Sequence, residues 1–491
     1  MTGTGYPELL WLTAPEIVVA LTALLVLVLD LGLLRRSALA VRFGATTLVA
    51  CVGCLLALLV LLKFPAQGDL AAGMLVVNPL TQLVQIALLA IAILVLFLVN
   101  SARFTAHAGE YFALMLFATT AMMLLVSTQN LLVIFISIEF LSLSLYILTA
   151  FDKQSRQSAQ AGLTYFLYGG MSAGILLFGM SLLYGLSGSL ALDRIAIAVK
   201  VSPGDPLLTF AMVMVLAGFG FKIAAAPFHM WAPEVYQGAP TWSAAMVASS
   251  SKVAGFFALF VVFYVGLMPA AGSATRGHYS SGWAPLIAIV AAISMLWGNL
   301  AAIAQTSVRR LLAYSAIGHA GYMLIALVVH SRQSLIALVY YVITYALATV
   351  GAFGVLAALE NEKVDSVADF RGLGKRAPGL AFCLLIFLLS LAGVPPLSGF
   401  FGKFYVFVSA LDGADHGLLW MVLLALAMSV VSFYYYLKVL KQAYVFEPSA
   451  GAATIAVPAT TRIAVWATAA LVVLLGCFPD LLLNRIATAL R

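Results

Sequence analysis

Charged residues are scarce in this chain. Only 9% of its 491 residues are Asp, Glu, Lys or Arg, whereas 64% are hydrophobic. Soluble domains carry about 25% charged residues, so the composition excludes a soluble globular protein and indicates one that crosses a membrane many times. The longest polar stretch, residues 360–378, is too short to fold as a separate soluble domain.

Cysteine is also scarce. Cys51 and Cys54 form a C-x-x-C pair inside an apolar run, while Cys383 and Cys477 are isolated. Redox and iron–sulfur sites need thiolates in polar or metal-bearing surroundings, so we interpret these cysteines as small buried hydrophobic residues. The chain also lacks a P-loop, a dinucleotide-binding fingerprint, a metal-ligand cluster and a nucleophile triad. We therefore expect no cofactor in this chain, and neither NADH nor ATP bound to it.

Long apolar segments fill most of the chain. A membrane-spanning helix needs about 20 mostly apolar residues, and segments of this kind recur throughout the sequence. They predict an all-α polytopic membrane protein with about fourteen transmembrane helices. The predicted spans lie near residues 14–34, 43–62, 79–99, 111–127, 129–150, 162–186, 207–226, 240–268, 284–304, 311–330, 334–358, 379–411, 417–437 and 463–484.

The net charge of +7 is unevenly distributed. Most lysines and arginines outside the spans follow odd-numbered spans, as Arg35, Arg36, Arg309 and Arg310 do, and Asp30 at this side is interpreted as an interfacial residue. Cytoplasmic loops carry an excess of Lys and Arg, and an even number of spans puts both termini on one side. The pattern predicts a multi-pass protein of a bacterial inner membrane with both termini in the periplasm. The lipid bilayer, and not nucleic acid, is then the expected partner.

Two predicted spans are interrupted. The seventh ends in KIAAAPFHMWAPEVYQGAP, and the twelfth contains LSLAGVPPLSGFFGKF. Proline removes a backbone donor and blocks helix continuation, and non-helical backbone at membrane depth is tolerated only inside protein or beside water. Two broken helices at corresponding places indicate a transport pathway. Ordinary proline kinks are the alternative interpretation.

The spacing of the polar residues indicates an internal repeat. Lys222 and Lys403 are about 180 residues apart, as are Glu139 and His319, and five spans separate the members of each pair. Because five is odd, the related halves must insert with opposite orientations. We predict two inverted five-helix repeats, spans 4–8 and 9–13, with helices 7 and 12 broken. The corresponding units are 1–110 (helices 1–3), 111–268 (first repeat), 269–450 (second repeat) and 451–491 (helix 14).

Four charged side chains lie deep inside the spans: Glu139, Lys222, Lys252 and Lys403. A charge at the bilayer centre costs on the order of 2.5–3.5 kcal/mol, so these residues need internal pairing or a function. Glu139 and Lys222 suit a switchable ion pair, and Lys252 suits proton exchange because burial makes its charged form costly. The alternatives are a neutral buried Glu139 and a Lys403 that reaches the far interface.

Two histidines are candidate proton relays. His229 lies in the first break, and His319 lies in span 10 between Tyr314 and Tyr322. Imidazole titrates near neutral pH, which makes it a suitable proton carrier. Hydrogen-bonded packing is an equally good interpretation of each histidine.

Three segments resemble a known family. PFHMWAPEVYQGAPT, RRLLAYSAIGHAGYM and LSLAGVPPLSGFFGKF are similar to signatures of the antiporter-like membrane subunits of respiratory complex I and of Mrp antiporters. The resemblance covers nearly the whole chain and implies fourteen helices with two inverted five-helix repeats. It also implies that the proton-translocating positions of the family fall on Glu139, Lys222, Lys252 and Lys403.

Within the family, the subunit N branch, counterpart of mitochondrial subunit 2, is the most similar. The sequence leaves no room after residue 484 for the lateral helix of subunit L, and it has Lys403 where subunit M usually has glutamate. The resemblance implies a proton-translocating membrane-arm subunit of NADH:quinone oxidoreductase without a redox site of its own. NADH, FMN, iron–sulfur clusters and quinone would bind to other subunits. The implied partners are the other membrane-arm subunits, namely antiporter-like M and the small J- and K-type subunits.

Two other functions fit the same residues. A Mrp-type Na+/H+ antiporter subunit would share the motifs and the buried charges. A structural membrane subunit would hold the same charges in static ion pairs, and charge-neutralising substitutions would then leave transport intact.

Overall fold

The computed structural model describes residues 6–63, 67–70, 72–102, 104–362, 364–412, 417–448 and 454–490. Its α-helices are α1 (Tyr6–Leu12), α2 (Ala14–Val28), α3 (Leu39–Lys63), α4 (Pro79–Val99), α5 (Ala108–Val126), α6 (Leu131–Thr149), α7 (Arg156–Ser187), α8 (Leu192–Val201), α9 (Pro206–Ile223), α10 (Ala232–Gly238), α11 (Thr241–Ala248), α12 (Ser250–Val261), α13 (Trp283–Ile303), α14 (Val308–Val329), α15 (Arg332–Ala358), α16 (Leu373–Arg376), α17 (Pro378–Ala392), α18 (Ser398–Leu411), α19 (Leu419–Tyr444), α20 (Ala459–Cys477) and α21 (Asp480–Ala489). One antiparallel hairpin, β1 (Gly68–Leu70) and β2 (Leu75–Val77), precedes α4. Two helices continue as π-helical turns, α2 through Leu29–Leu33 and α12 through Val262–Gly266.

The prediction of an all-α polytopic membrane protein is confirmed. Within the described ranges, thirteen helices are long and apolar enough to cross a membrane, and the shorter apolar helices α17 and α18 form the interrupted twelfth span. The last predicted span, 463–484, is wrong at its end. It stops at Cys477, because Pro479 interrupts the helix before α21 begins.

Both predicted breaks are present. The helix before the first break, α9, ends with Ala224 in the left-handed conformation (φ 56°), and the helix before the second, α17, ends with Gly393 (φ 90°). A left-handed residue terminates a helix and satisfies its last carbonyl groups. Pro227 and Pro395 follow these caps, and proline disfavours an immediate return to helix. Each break therefore leaves a helix end inside the protein.

A third interruption was not predicted. The eighth span divides at Ser249 (φ −117°, ψ −83°) into α11 and α12. No proline or glycine marks this position, so the sequence lacked the usual signal of a break. The interruption lies three residues before Lys252.

The centre of the protein consists of α11, α12, α14 and α15. Nearly all residues of these helices are buried against other helices. At the periphery, α7 and α19 expose large apolar side chains such as Leu167, Phe178 and Val430, as expected for helices that face lipid. The centre of the bundle therefore excludes lipid and carries Lys252 and His319.

Asp30, which the sequence placed at the membrane interface, forms an ion pair with a neighbouring helix. It is fully buried in the π-helical turn after α2 and forms a bidentate ion pair with Arg42 of α3, at 2.7 Å (Nε–Oδ1) and 2.6 Å (Nη2–Oδ2). The backbone N–H of Gly109 donates a third hydrogen bond to Asp30 Oδ2 at 2.8 Å. The carboxylate thus joins the ends of α2, α3 and α5.

We expect Arg42→Met to destabilise the full-length protein by about 3 kcal/mol or more, because removing one partner of a buried pair leaves an uncompensated charge. Thermal unfolding in detergent would measure the change. The double variant Asp30→Leu, Arg42→Met should recover most of the loss, since both charges are then absent. An Arg42→Met variant as stable as the original protein would contradict the assignment.

Candidate proton-transfer site

Lys222 lies in the last turn of α9 and is buried. Its Nζ donates a hydrogen bond to Ser142 Oγ of α6 at 3.1 Å. Glu139, one helical turn before Ser142, is half-buried and near enough for the two charges to attract each other. No ion pair within 4.0 Å joins Glu139 and Lys222, the two residues predicted to form a switchable ion pair. The Lys222 ammonium group forms its hydrogen bond with Ser142 instead.

The position of Lys222 at a helix end stabilises its charge. The carboxyl end of a helix carries a partial negative charge that favours a cation in the last turn. The stem of Lys222 packs against α12, where a Cβ at Gly255 would lie 3.3 Å from Lys222 Cγ. Gly255 is one turn after Lys252 on α12, so these two lysines occupy facing parts of neighbouring helices.

Lys252 is buried near the amino end of α12. Its Nζ donates a hydrogen bond to the carbonyl oxygen of Ala316 on α14 at 2.9 Å and lies 5.7 Å from the ring centre of Tyr345. Two of the preceding serines donate to carbonyl groups of α11, whereas Ser250 Oγ has no partner within the described structure. No described carboxylate lies within 4.0 Å of Lys252. Its charge is therefore held by a carbonyl dipole and an aromatic face.

His319 lies on α14 and is buried among tyrosines. Its Nδ1 is 2.8 Å from Tyr341 Oη, its Nε2 is 3.4 Å from Tyr436 Oη, and its ring centre is 5.0 Å from that of Tyr345. Tyr436 Oη also forms a hydrogen bond with Ser315 Oγ. The positive charges of Lys252 and Lys403 both act on His319. Each imidazole nitrogen thus has a hydroxyl partner, which suits a group that gives and takes protons.

Lys403 reaches back from α18 to the end of α17. Its Nζ donates a hydrogen bond to the carbonyl oxygen of Ala392 at 2.9 Å and lies 5.0 Å from the ring centre of Tyr322. Gly393 makes this approach feasible, because a Cβ there would lie 3.1 Å from Lys403 Cδ. The side chain is buried and does not extend to a far interface. The second break therefore creates the acceptor that Lys403 uses.

Three successive turns of α14 connect these groups. Ala316 accepts the hydrogen bond from Lys252, His319 follows one turn later, and Tyr322 faces Lys403 after one further turn. Residues three apart lie on the same face of a helix. The structure therefore places Lys252, His319 and Lys403 along one face of α14.

His229 is not part of this arrangement. It is buried in the first break, packs edge-on to Trp297 at 5.9 Å between ring centres, and its Nδ1 has no hydrogen-bond partner within the described residues. None of its described contacts reaches a buried lysine.

Sequence reasoning missed several polar neighbours of the charges. Ser142 could have been found, because it lies three residues from Glu139 and so shares its helix face. Tyr341 and Tyr345 lie on α15, the next helix, and Tyr436 lies on α19. They carried no such signal, because nothing in the sequence near His319 indicates which residues of other helices pack against it. Among the described residues, no group of three or more His, Cys, Asp or Glu side chains could hold a metal ion.

The chain is similar to known membrane proteins in sequence and in fold. The family described as NADH:quinone oxidoreductase/Mrp antiporter, TM, matches residues 128–432. The chain is 55% identical over 494 residues to NADH-quinone oxidoreductase subunit N 2 of Acidobacterium capsulatum, with 99% of both chains covered. A chain of respiratory complex I from Thermus thermophilus with bound aureothin is 34% identical, with a TM-score of 0.78 over 96% of this chain and 98% of that chain. A chain of the Mrp complex from Dietzia sp. is 20% identical, with a TM-score of 0.84 over 98% and 97% of the two chains, and shows similarity of fold alone.

We expect Gly393→Ala to destabilise the protein, because a non-glycine residue in the left-handed conformation costs roughly 1–2 kcal/mol. The new Cβ would also press on the Lys403 side chain. Thermal unfolding would measure the loss, with Gly170→Ala as the control, since a Cβ at Gly170 meets nothing within 4 Å and alanine favours a helix by about 1 kcal/mol. Equal stability of the two variants would contradict this role of Gly393.

Proposed function

The chain belongs to the NADH:quinone oxidoreductase/Mrp antiporter membrane family and to its subunit N branch, and from this premise we propose how it translocates protons. It acts as a membrane-arm subunit of a proton-translocating NADH:quinone oxidoreductase. Full-length similarity at 55% identity to a protein named subunit N supports this branch over the Mrp branch.

One observation carries the proposal: buried lysines that lack a carboxylate partner occur in series. Lys222, Lys252 and Lys403 bond to a hydroxyl or to backbone carbonyls, and none of them has a described carboxylate within 4.0 Å. A static scaffold would neutralise such charges, because an unpaired charge in a protein interior costs several kcal/mol. A buried amine without an anion can instead be discharged by releasing its proton. The arrangement therefore favours proton transfer over static pairing.

The proposed path runs from Glu139 to Lys403. Glu139 attracts the Lys222 ammonium group, and Ser142 accepts its hydrogen bond. Weakening of that attraction lets Lys222 release its proton, which passes through water to Lys252. From Lys252 the proton moves past His319 to Lys403 and then to the periplasmic side. The tyrosine hydroxyl groups that contact His319 hold the imidazole in place for this transfer.

The two inverted repeats, 111–268 and 269–450, remain part of the proposal. Their support is the similar use of the two breaks. Lys222 lies in the last turn of α9 before the first break, and Lys403 caps the last carbonyl group of α17 at the second. Both lysines thus use the negative end of a broken helix. The flanking units, 1–110 and 451–491, lie outside the repeats.

The proposed assembly assigns the redox chemistry to other subunits. NADH, FMN, iron–sulfur clusters and quinone are expected there, and this chain converts the released energy into proton movement. Its proposed neighbours are antiporter-like subunit M and the small J- and K-type subunits. Both termini are proposed to lie in the periplasm, as the loop charges predict.

We expect Lys222→Ala to lower the rate of proton transfer through this subunit by on the order of 100-fold, the typical cost of removing a proton-transfer group. The measurement is the proton-to-electron ratio of the assembled complex in vesicles. An unchanged ratio would refute the assignment.

Lys222→Arg separates proton transfer from static pairing. Arginine keeps the positive charge but cannot be deprotonated in proteins, so proton transfer should fail as it does with alanine. A static scaffold would retain its function with arginine, and that result would favour the structural interpretation.

Ser142→Ala and Ser144→Ala form a matched pair on α6. Both serines are buried, but Ser142 accepts from Lys222 whereas Ser144 donates to the carbonyl oxygen of Phe140 in its own helix. Loss of a hydrogen bond to a charged group costs about 1.5–3 kcal/mol, so we expect Ser142→Ala to slow proton translocation about tenfold. Ser144→Ala should have little effect. Equal rates in the two variants would show that the contact between Ser142 and Lys222 is unimportant.

A further inference from the structure

A second buried polar cluster lies in the amino-terminal helices, outside the proposed path. It consists of Glu16 on α2, Gln85 on α4 and Ser127 directly after α5, with exposed fractions of 2%, 1% and 0%. Because α2 and α4 begin where α5 ends, the three side chains lie near the same membrane face.

The three side chains contact one another directly. Gln85 Nε2 is 2.5 Å from Glu16 Oε1 and 2.7 Å from Ser127 Oγ, and Ser127 Oγ is 3.5 Å from Glu16 Oε1. Ser127 also donates to the carbonyl oxygen of Met123 at 2.9 Å. Glu16 Oε2 and Gln85 Oε1 have no hydrogen-bond partner in the described structure. Two buried oxygen atoms of the cluster thus lack a donor.

Glu16 also lacks a cationic partner. No described lysine, arginine or histidine forms an ion pair with it within 4.0 Å. An ionised carboxylate buried without a cation is strongly disfavoured, and such a group neutralises itself instead. A carboxylic acid would supply one of the missing donors. Burial, the unpaired oxygens and the absent cation therefore favour a protonated Glu16.

The hairpin and an apolar cluster cover this site. The backbone N–H of Val76 donates to the carbonyl oxygen of Ser127 at 2.8 Å. Leu12, one turn before Glu16, packs with Leu70, Leu75 and Val77 of the hairpin. These contacts shield the carboxyl group from water at the membrane face.

The cluster is separate from the lysine series. Val84, next to Gln85, and Val253, next to Lys252, line the same apolar cavity between α4 and α12. No described hydrogen bond joins the two groups. The protonation of Glu16 can therefore be tested independently of the proposed proton path.

We propose that Glu16, Gln85 and Ser127 form a proton-binding site in which the Glu16 carboxyl group is protonated at neutral pH. The ligand is the proton itself, held between Glu16 and the amide of Gln85. The site adds a neutral acid outside the proposed path, whose buried titratable groups are mainly lysines.

Infrared spectroscopy of the assembled complex tests this inference. The difference spectrum between the original complex and Glu16→Gln at neutral pH should contain the carbonyl band of one protonated carboxylic acid, shifted to lower frequency in D2O. Glu8→Gln is the matched control, because Glu8 is exposed on α1 and its substitution should leave the protonated-acid band unchanged. Carboxylate bands in the Glu16→Gln difference spectrum would overturn the proposal, and their dependence on sodium would assign the site to a metal cation instead.

Glu16→Asp is a second variant for the case in which the complex that contains Glu16→Gln does not assemble. Glu16→Asp keeps the acid but withdraws it from Gln85 by one methylene group, so the protonated-acid band should shift upward as its hydrogen bond weakens. Absence of any protonated-acid band in the difference spectrum of Glu16→Asp would overturn the proposal. Neither measurement depends on the pumping activity of Lys222 variants.

Discussion

A buried ammonium group needs acceptors within reach, because the effective penalty for removing an ion from water is several kcal/mol. The membrane supplies none, so the protein must provide them from its own backbone and side chains. Broken helices meet this need, since a helix end presents carbonyl groups that have no partner within the helix. Lys403 bonds to such a carbonyl at the end of α17, and Lys222 lies in the last turn of α9. Each break thus provides a helix end with partial negative charge beside a buried lysine.

The central position of α14 follows from the same requirement. This helix is almost completely buried, and one of its faces carries the Ala316 carbonyl group, His319 and Tyr322. Lys252 approaches the first of these groups and Lys403 the last. Tyrosines from α15 and α19 surround His319 and satisfy both imidazole nitrogens. A peripheral helix could not hold these contacts, because lipid offers no polar partners.

The protein stabilises its buried acids by three different arrangements. Asp30 has a bidentate arginine and a backbone N–H, so its ionised form is fully partnered. Glu139 is half-buried and attracted by Lys222 without touching it. Glu16 has an amide and a hydroxyl but no cation. The partner available to each carboxyl group therefore distinguishes the structural anion Asp30 from the proposed switchable charge of Glu139 and the proposed proton-binding site at Glu16.

Composition and local pattern alone determined the class of the fold, the approximate spans and the two proline-marked breaks, because these depend on hydropathy and backbone chemistry near each residue. They also singled out the four buried charges, since a charge within an apolar run is costly wherever the helix packs. Tertiary structure decided which groups meet. The burial of Asp30, the hydrogen bond from Lys222 to Ser142 and the tyrosines around His319 depend on contacts between different helices. The break at Ser249 has no proline or glycine to mark it. Local sequence does not predict such contacts, because the packing of one helix against another is determined only in the assembled bundle.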